Sequence, residues 1–359
     1  MSPSTPLLLG IELSSTGIHP ASWRRPDSRA EDVFTGDYWT GALAAADEAG
    51  LHLAFLPDSL DLQAAGAIGW LEAVGIAARA AAATRRIGLI PQGPVTHSEP
   101  FHLSKALASL DFATRGRAGW EVTVSPGSAN LFGRKQEQDA ASLWQEADEA
   151  VEVVTRLWDS WEDDAEIRDL ATGRFVDRDK LHYIDFTGEH FAVRGPSITP
   201  RPPQGQPLVA IRAADPHSTE LAVRRADLIR CTATDLADAR ALRSALRSAV
   251  GRAGRDPDRV RILLDLDVHV ADTADSARAD VAQLEAWTPT DEPKLLRHIG
   301  SPETLRELLA DIHDGCAADG VVLRPLALAT FVTRLPDLVP TLRSRLGLPR
   351  PGNRYAATV

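Results

Sequence analysis

Short apolar runs alternate along this chain with Ala-rich stretches of helical periodicity. Runs at residues 7–13, 52–56, 87–90, 118–124, 208–211, 228–229, 261–270 and 320–323 predict eight strands. Between them, residues 36–50, 71–83, 100–112, 139–158, 234–252 and 302–317 carry helix-compatible patterns, the first stopped by Gly50 and the fourth amphipathic. Eight β-then-α units predict one closed (β/α)8 barrel rather than two domains. An open doubly wound sheet is the competing arrangement, but no G-x-G-x-x-G follows the first strand, which removes its dinucleotide signal. No internal repeat of solenoid length is present.

The seventh run, RILLDLDVHV, alternates strictly. Leu264, Leu266, Val268 and Val270 share one face, and Asp265, Asp267 and His269 share the other. Inside a barrel such a row reads as polar filling, with a carboxylate–imidazole metal site as the sharper alternative. Residues 160–206 are long for a connection and rich in charge, Gly and Pro, which predicts an insertion with its own hairpin around Thr187-Gly188. Residues 288–293 form a second Pro- and acid-containing loop, and the tail 349–359 is expected to be mobile.

A chain of 359 residues is near the size of one α/β barrel, and its 44% hydrophobic and 25% charged content is ordinary for a globular protein. A net charge of -11 argues against a nucleic-acid binder and against adhesion to an anionic membrane. Cys231 and Cys316 lie far apart, so neither a disulfide framework nor a zinc motif is expected. The first residues lack a signal-peptide pattern and no apolar stretch is long enough to span a bilayer, so a cytoplasmic location is expected. No G-x-S-x-G, P-loop or H-E-x-x-H occurs, and hydrolase, kinase and zincin chemistries have no support.

In such a barrel the residues just after each strand meet at one face. That selects residues 13–15, 57–59, 91–96, 124–125, 212–215, 232, 270–272 and 324–325.

Chemistry comes from a resemblance. SKALASLDFATRGRAGWEVTVS, ADEAVEVVTRLWDSWEDDA and RPPQG, all within residues 104–205, resemble the bacterial luciferase-like flavin-dependent monooxygenases. The group with the nitrilotriacetate, dibenzothiophene-sulfone and long-chain alkane enzymes is the most similar. The resemblance implies reduced FMN at the barrel mouth, supplied by a separate flavin reductase, a small organic substrate, and a homodimer. FLPDS at 55–59 matches a family motif whose Asp lies beside the flavin, which implicates Asp58. HPASWRRPD at 19–27 matches a stretch bordering the substrate pocket, which makes His19 and Trp23, with His97, substrate-side candidates. The same likeness implies that Glu121, Ser125, Trp144, Arg212, Ala214 and Asp215 line the cofactor, and that His19, His97 and Glu121 are the titratable candidates for catalysis.

Four positions depart from the family pattern. Glu121 stands in place of an Asn beneath the flavin; Ala140 stands in place of a His and Trp144 in place of a Tyr, both of which reach the flavin phosphate in the family; and IRAAD at 211–215, after the fifth strand, stands in place of QAGSS, whose backbone and hydroxyls hold the phosphate oxygens there. Pro91 and Pro94 also interrupt the region after the third strand. An Asp215 carboxylate ~4 Å from a phosphate repels it by about 4 kcal/mol at an effective dielectric near 20, roughly three decades of affinity. Arg212 would counter this by binding the phosphate, or would pair with Asp215 instead. Glu121 reads either as a buried base or as the partner of Arg115 or Arg117. Asp58 equally caps a turn after Pro57, His19 and His97 equally read as loop histidines, and Trp144 as packing. Three functions follow: an FMN-dependent monooxygenase, a non-catalytic luciferase-like subunit or binding protein, or a barrel enzyme of altered chemistry.

Overall fold

The structure, a computed structural model, describes residues 6–133, 135–291 and 295–346. Eight parallel strands form its centre: β1 (Leu8–Glu12), β2 (Leu53–Leu56), β3 (Gly88–Pro94), β4 (Gly119–Thr123), β5 (Leu208–Arg212), β6 (Leu228–Cys231), β7 (Arg261–Val270) and β8 (Gly320–Pro325). Their order is β6-β5-β4-β3-β2-β1-β8-β7, and β7 pairs back onto β6, closing a barrel of the expected (β/α)8 kind. The length of β7 serves two neighbours on one side. Its first half pairs with β6, and its second half carries an outer strand, Arg297–Gly300, in register from Asp267↔Arg297 to Val270↔Gly300.

Alternation along the strands divides the interior from the exterior. Outward residues such as Leu9, Ile11, Ala54, Leu56, Val122, Ile211 and Val268 join two large buried clusters with the surrounding helices. Inward residues divide by height. Toward the strand N-termini, Leu53, Phe55, Ile90, Ala210, Leu228, Leu263 and Val322 form an apolar plug. Above them the inward side chains are charged.

Two expectations change. β3 continues through Pro91 to Pro94, so the prolines do not interrupt it. Extended backbone tolerates their fixed φ, at the loss of two N–H donors. Trp120 Nε1 on β4 donates to the Gly93 carbonyl at 3.0 Å and ties the two strands together. Three helices with weak sequence signals, Pro216–Arg225, Ala274–Trp287 and Leu328–Leu346, complete the outer layer.

Residues 160–206 carry two short antiparallel pairs, Glu166–Asp169 with Arg174–Val176 and Phe186–Thr187 with Ala192–Val193. The second pair is anchored by the Glu149 carboxylate, which accepts the N–H groups of Glu189, His190 and Phe191. Buried Asp111 holds the far end by accepting from the backbone and side chain of Gln204. The tail 349–359, and Glu292 and Pro293 of the second loop, lie outside the described residues.

Candidate functional site

The charged upper layer of the barrel is one connected network centred on Arg230, a residue of β6 with 0% exposure. Its guanidinium donates to Glu12 of β1 at 2.6 Å, to both oxygens of Glu121 at 3.1 Å, and to Asp265 of β7 at 2.9 Å. It also lies over the Phe55 ring, 4.5 Å from the centroid, at the boundary with the apolar plug. Arg212 reaches Glu12 at 2.8 Å and Asp265 at 3.3 Å, and Arg324 reaches Glu12 at 3.2 Å and Asp267 at 2.9 Å. Burial pushes the Glu12 carboxyl upward, but Arg230, Arg212 and Arg324 outweigh it and hold that group far below the usual carboxylate range. Burial pushes the Asp267 carboxyl up, and its pairing with Arg324 does not fully offset this.

The network extends to the rim through Gln92 of β3. The Gln92 side-chain N–H donates to Glu121 at 3.0 Å, and its carbonyl oxygen accepts the Asp58 N–H at 3.0 Å. Asp58 in turn accepts the N–H groups of Ser59 at 2.7 Å and Ala73 at 2.8 Å, which fixes the start of the helix Ala73–Ala80. Burial raises the Asp58 carboxyl above its ordinary value.

Several expectations are corrected by these contacts. Glu121 pairs with Arg230 rather than with Arg115 or Arg117; Arg117 instead donates to the Thr84 and Ile87 carbonyls. Glu121 accepts from Arg230 on both oxygens and from Gln92 on one of them, so three of its roughly four acceptor sites are taken. Arg212 pairs with Glu12 and Asp265, not with Asp215. The Asp265–Asp267–His269 row does face inward, and arginines and Asp280 take it up. Among the described residues no group of three or more His, Cys, Asp or Glu is placed to hold a metal ion.

Asp215 is the N-cap of the helix Pro216–Arg225. Its carboxylate accepts the N–H groups of His217 at 2.8 Å and Ser218 at 2.9 Å, and Ser218 closes the capping box. Burial pushes this carboxyl up, and the bonds from Ser218 and His217 outweigh it, so it lies below its ordinary value. Ala214 donates its N–H to Ser218 Oγ.

The remaining candidates lie around the same mouth. His97 stacks on Phe132 with centroids 4.3 Å apart, and its Nε2 meets Ser128 Oγ at 2.9 Å. Ser128 Oγ donates to the Ser125 carbonyl, so His97 is the donor to Ser128, and this pair is not a base with its nucleophile. Ser125 is held by its N–H to Thr96 Oγ1 at 2.8 Å. His19 is buried. Its Nδ1 accepts the Ala21 N–H, which leaves the proton on Nε2, 3.3 Å from Glu285. Burial depresses its pKa, outweighing the opposing pull of Glu285. Trp23 is exposed on the loop after β1, whereas Trp144 packs half-buried against the second core cluster.

Gln92 and Arg324 fall within the selected ranges 91–96 and 324–325 with no role assigned to them from sequence, and Arg230 and Glu12 lie outside every selected range. Their signal is a charged or amide side chain at an inward position of an otherwise apolar strand, as in LIRC and LLGIE.

Comparison with known proteins places this geometry. The Luciferase-like monooxygenase profile matches residues 18–318, which takes in the loops that follow β1 through β7. The chain belongs to the luciferase-like monooxygenase family. The N-acetyl-S-(2-succino)cysteine monooxygenase of Bacillus subtilis is 35% identical over 282 residues, covering 77% of this chain and 64% of that one. One of the pristinamycin IIA synthase subunits of Streptomyces pristinaespiralis is 31% identical over 319 residues, covering 89% of this chain and 91% of that one. The crystal structure of a long-chain alkane monooxygenase superposes with a TM-score of 0.85 at 22% identity, over 97% of this chain and 93% of the other, and shows the same fold. The chain spans under two thirds of the length of the first of these relatives, but nearly all of the second.

Two solved structures of the same fold, a riboflavin lyase and the oxygenating constituent of a 3,6-diketocamphane monooxygenase, hold FMN or a modified FMN, so the rim can be tested for a flavin phosphate. The amides that would meet it after β5 are taken by Asp215, and the nearest guanidinium, Arg212, is engaged inside the barrel. The rim after β5 does not fit a phosphate in this arrangement.

Proposed function

We propose that this protein is the oxygenating chain of a two-component, flavin-dependent monooxygenase acting on a small, largely apolar organic molecule. The reading is carried by the family match, whose span runs through the mouth loops from β1 to β7. The loops themselves support an apolar substrate. Trp23 and Phe34 after β1, Leu62 and Ile68 after β2, and Leu131 and Phe132 after β4 all expose apolar side chains. They stand above a barrel whose own charges are mutually paired. In this reading the mouth loops orient the substrate and exclude water, and the ion-paired network keeps the floor rigid. A separate reductase supplies reduced flavin, the working form is a homodimer, and the location is cytoplasmic.

A second reading is favoured by the carboxylate on the phosphate side of the mouth. The relative that matches almost the full length is named as one subunit of a synthase. A chain that pairs with another luciferase-like subunit would not need a complete flavin site of its own.

The test is a reconstituted reaction. The purified chain, a flavin reductase, NADH and a flavin are supplied with a panel of thioethers, sulfones and alkanes. A substrate of this enzyme lowers the hydrogen peroxide released per NADH consumed and yields an oxygenated product by mass spectrometry. Peroxide release unaffected by every compound, with no product, favours the second reading.

A further inference from the structure

Backbone donors are claimed by the chain's own carboxylates after β2, β4 and β6 as well as after β5, whereas the helix Pro100–Thr114 after β3 has no side-chain cap and the helix Ala274–Trp287 after β7 is capped by Thr273. After β2, Glu72 accepts the Gly75 N–H and Asp58 the Ala73 N–H. After β4, Glu137 accepts the Gly127 N–H and Asp139 the Ser142 N–H. After β6, Asp235 accepts the N–H groups of Ala237 and Asp238. A phosphate approaching these helix starts would find negative charge already on the amides that normally receive it. The guanidiniums of β5 and β8 are no remedy, because Arg212 and Arg324 are bound to Glu12, Asp265 and Asp267.

We infer that Asp215 sets the ligand specificity of this mouth by rejecting a phosphate ester, so that a flavin lacking its phosphate is accepted at least as well as FMN. The inference rests on the flavin-dependent reading above. Asp215 suits such a role because its charge and its capping bond are separable. Serine is as good an N-cap, so Asp215→Ser keeps the helix start while removing the negative charge. The carboxylate is partly exposed, so the repulsion is screened. A unit-charge pair at ~4 Å is still worth between about fivefold in bulk water and roughly a thousandfold at an effective dielectric near 20.

The experiment titrates reduced riboflavin and reduced FMN, anaerobically, into wild type, Asp215→Ser and Asp215→Asn, reading quenching of the chain's 8 tryptophans. The inference expects wild type to bind riboflavin as tightly as FMN or more tightly. Both variants should then bind FMN at least about tenfold better, with riboflavin affinity unchanged within about twofold. Wild type that prefers FMN by about tenfold, or variants with no gain for FMN, overturns the inference while leaving the flavin-dependent reading standing. Absence of binding by either flavin in all three proteins removes that reading itself, and the inference with it.

Discussion

Replacing Arg230 tests the barrel's polar floor most severely. Four carboxylates (Glu12, Glu121, Asp265 and Asp267) face three guanidiniums (Arg212, Arg230 and Arg324), a net charge of -1 in the network. Arg230→Met keeps much of the volume but takes the network to -2. It strips contacts of 2.6–3.1 Å from three carboxylates that water does not reach easily. Breaking a buried ion pair from one side costs about 3–5 kcal/mol, since the partner charge is left uncompensated. Glu121→Gln acts in the opposite sense. It brings the network to neutrality and leaves Glu12 and Asp265 on Arg230, so the expected cost is about 1–2 kcal/mol. In the double variant the uncompensated Glu121 charge is gone, and the loss should fall short of the sum by at least about 1 kcal/mol. Urea denaturation followed by tryptophan fluorescence and circular dichroism measures all three. A loss under about 1 kcal/mol for Arg230→Met, or additive losses in the cycle, would refute the claim that Arg230 organises this layer.

Other consequences follow from the same geometry. Gly17→Ala should destabilise the fold by more than about 3 kcal/mol, because at φ +137° its added Cβ would lie 2.3 Å from the Leu326 carbonyl oxygen and near two further backbone atoms; a thermal midpoint within a degree of wild type contradicts this. Asp111→Ala should cost about 2–4 kcal/mol and speed proteolysis within residues 160–206, since it leaves the Ala118 and Gln204 donors without their carboxylate. His19, His269 and His298 are all depressed by burial from 6.5, so the folded state binds fewer protons than the unfolded chain below that value. Stability should therefore be full above about pH 7 and decline as pH falls through 6.5 and below; a urea midpoint that rises on acidification would exclude this.

The barrel was legible because its signals are local. RILLDLDVHV opens on an apolar run and alternates from Leu264 to Val270, and β7 spans the whole of it. Asp139 and Ser301 cap the helices that start beside them. Elements were missed where local chemistry is ambiguous. PHSTELAVRR has little apolar content, and the helix Leu328–Leu346 contains Pro336, so neither reads as a helix by periodicity. The D-P-H-S spacing at Asp215 was itself a capping-box signal, but the family likeness drew attention to a phosphate in its place. The polar floor was hidden for a different reason. Glu12 and Arg230 are 218 residues apart, and only closure of the barrel tells that the inward positions of its strands meet. Charge pairing across such distances has no periodicity to reveal it.

Whether the mouth of this barrel binds reduced flavin is the question on which the functional account turns. Anaerobic titration with reduced riboflavin, which carries no phosphate for Asp215 to repel, asks it with the fewest complications. The account predicts saturable binding at one flavin per chain, weakened at least about tenfold by Thr123→Trp, which adds bulk at the mouth end of β4 two residues beyond Glu121. Binding that is absent, or that persists unchanged in that variant, would contradict it.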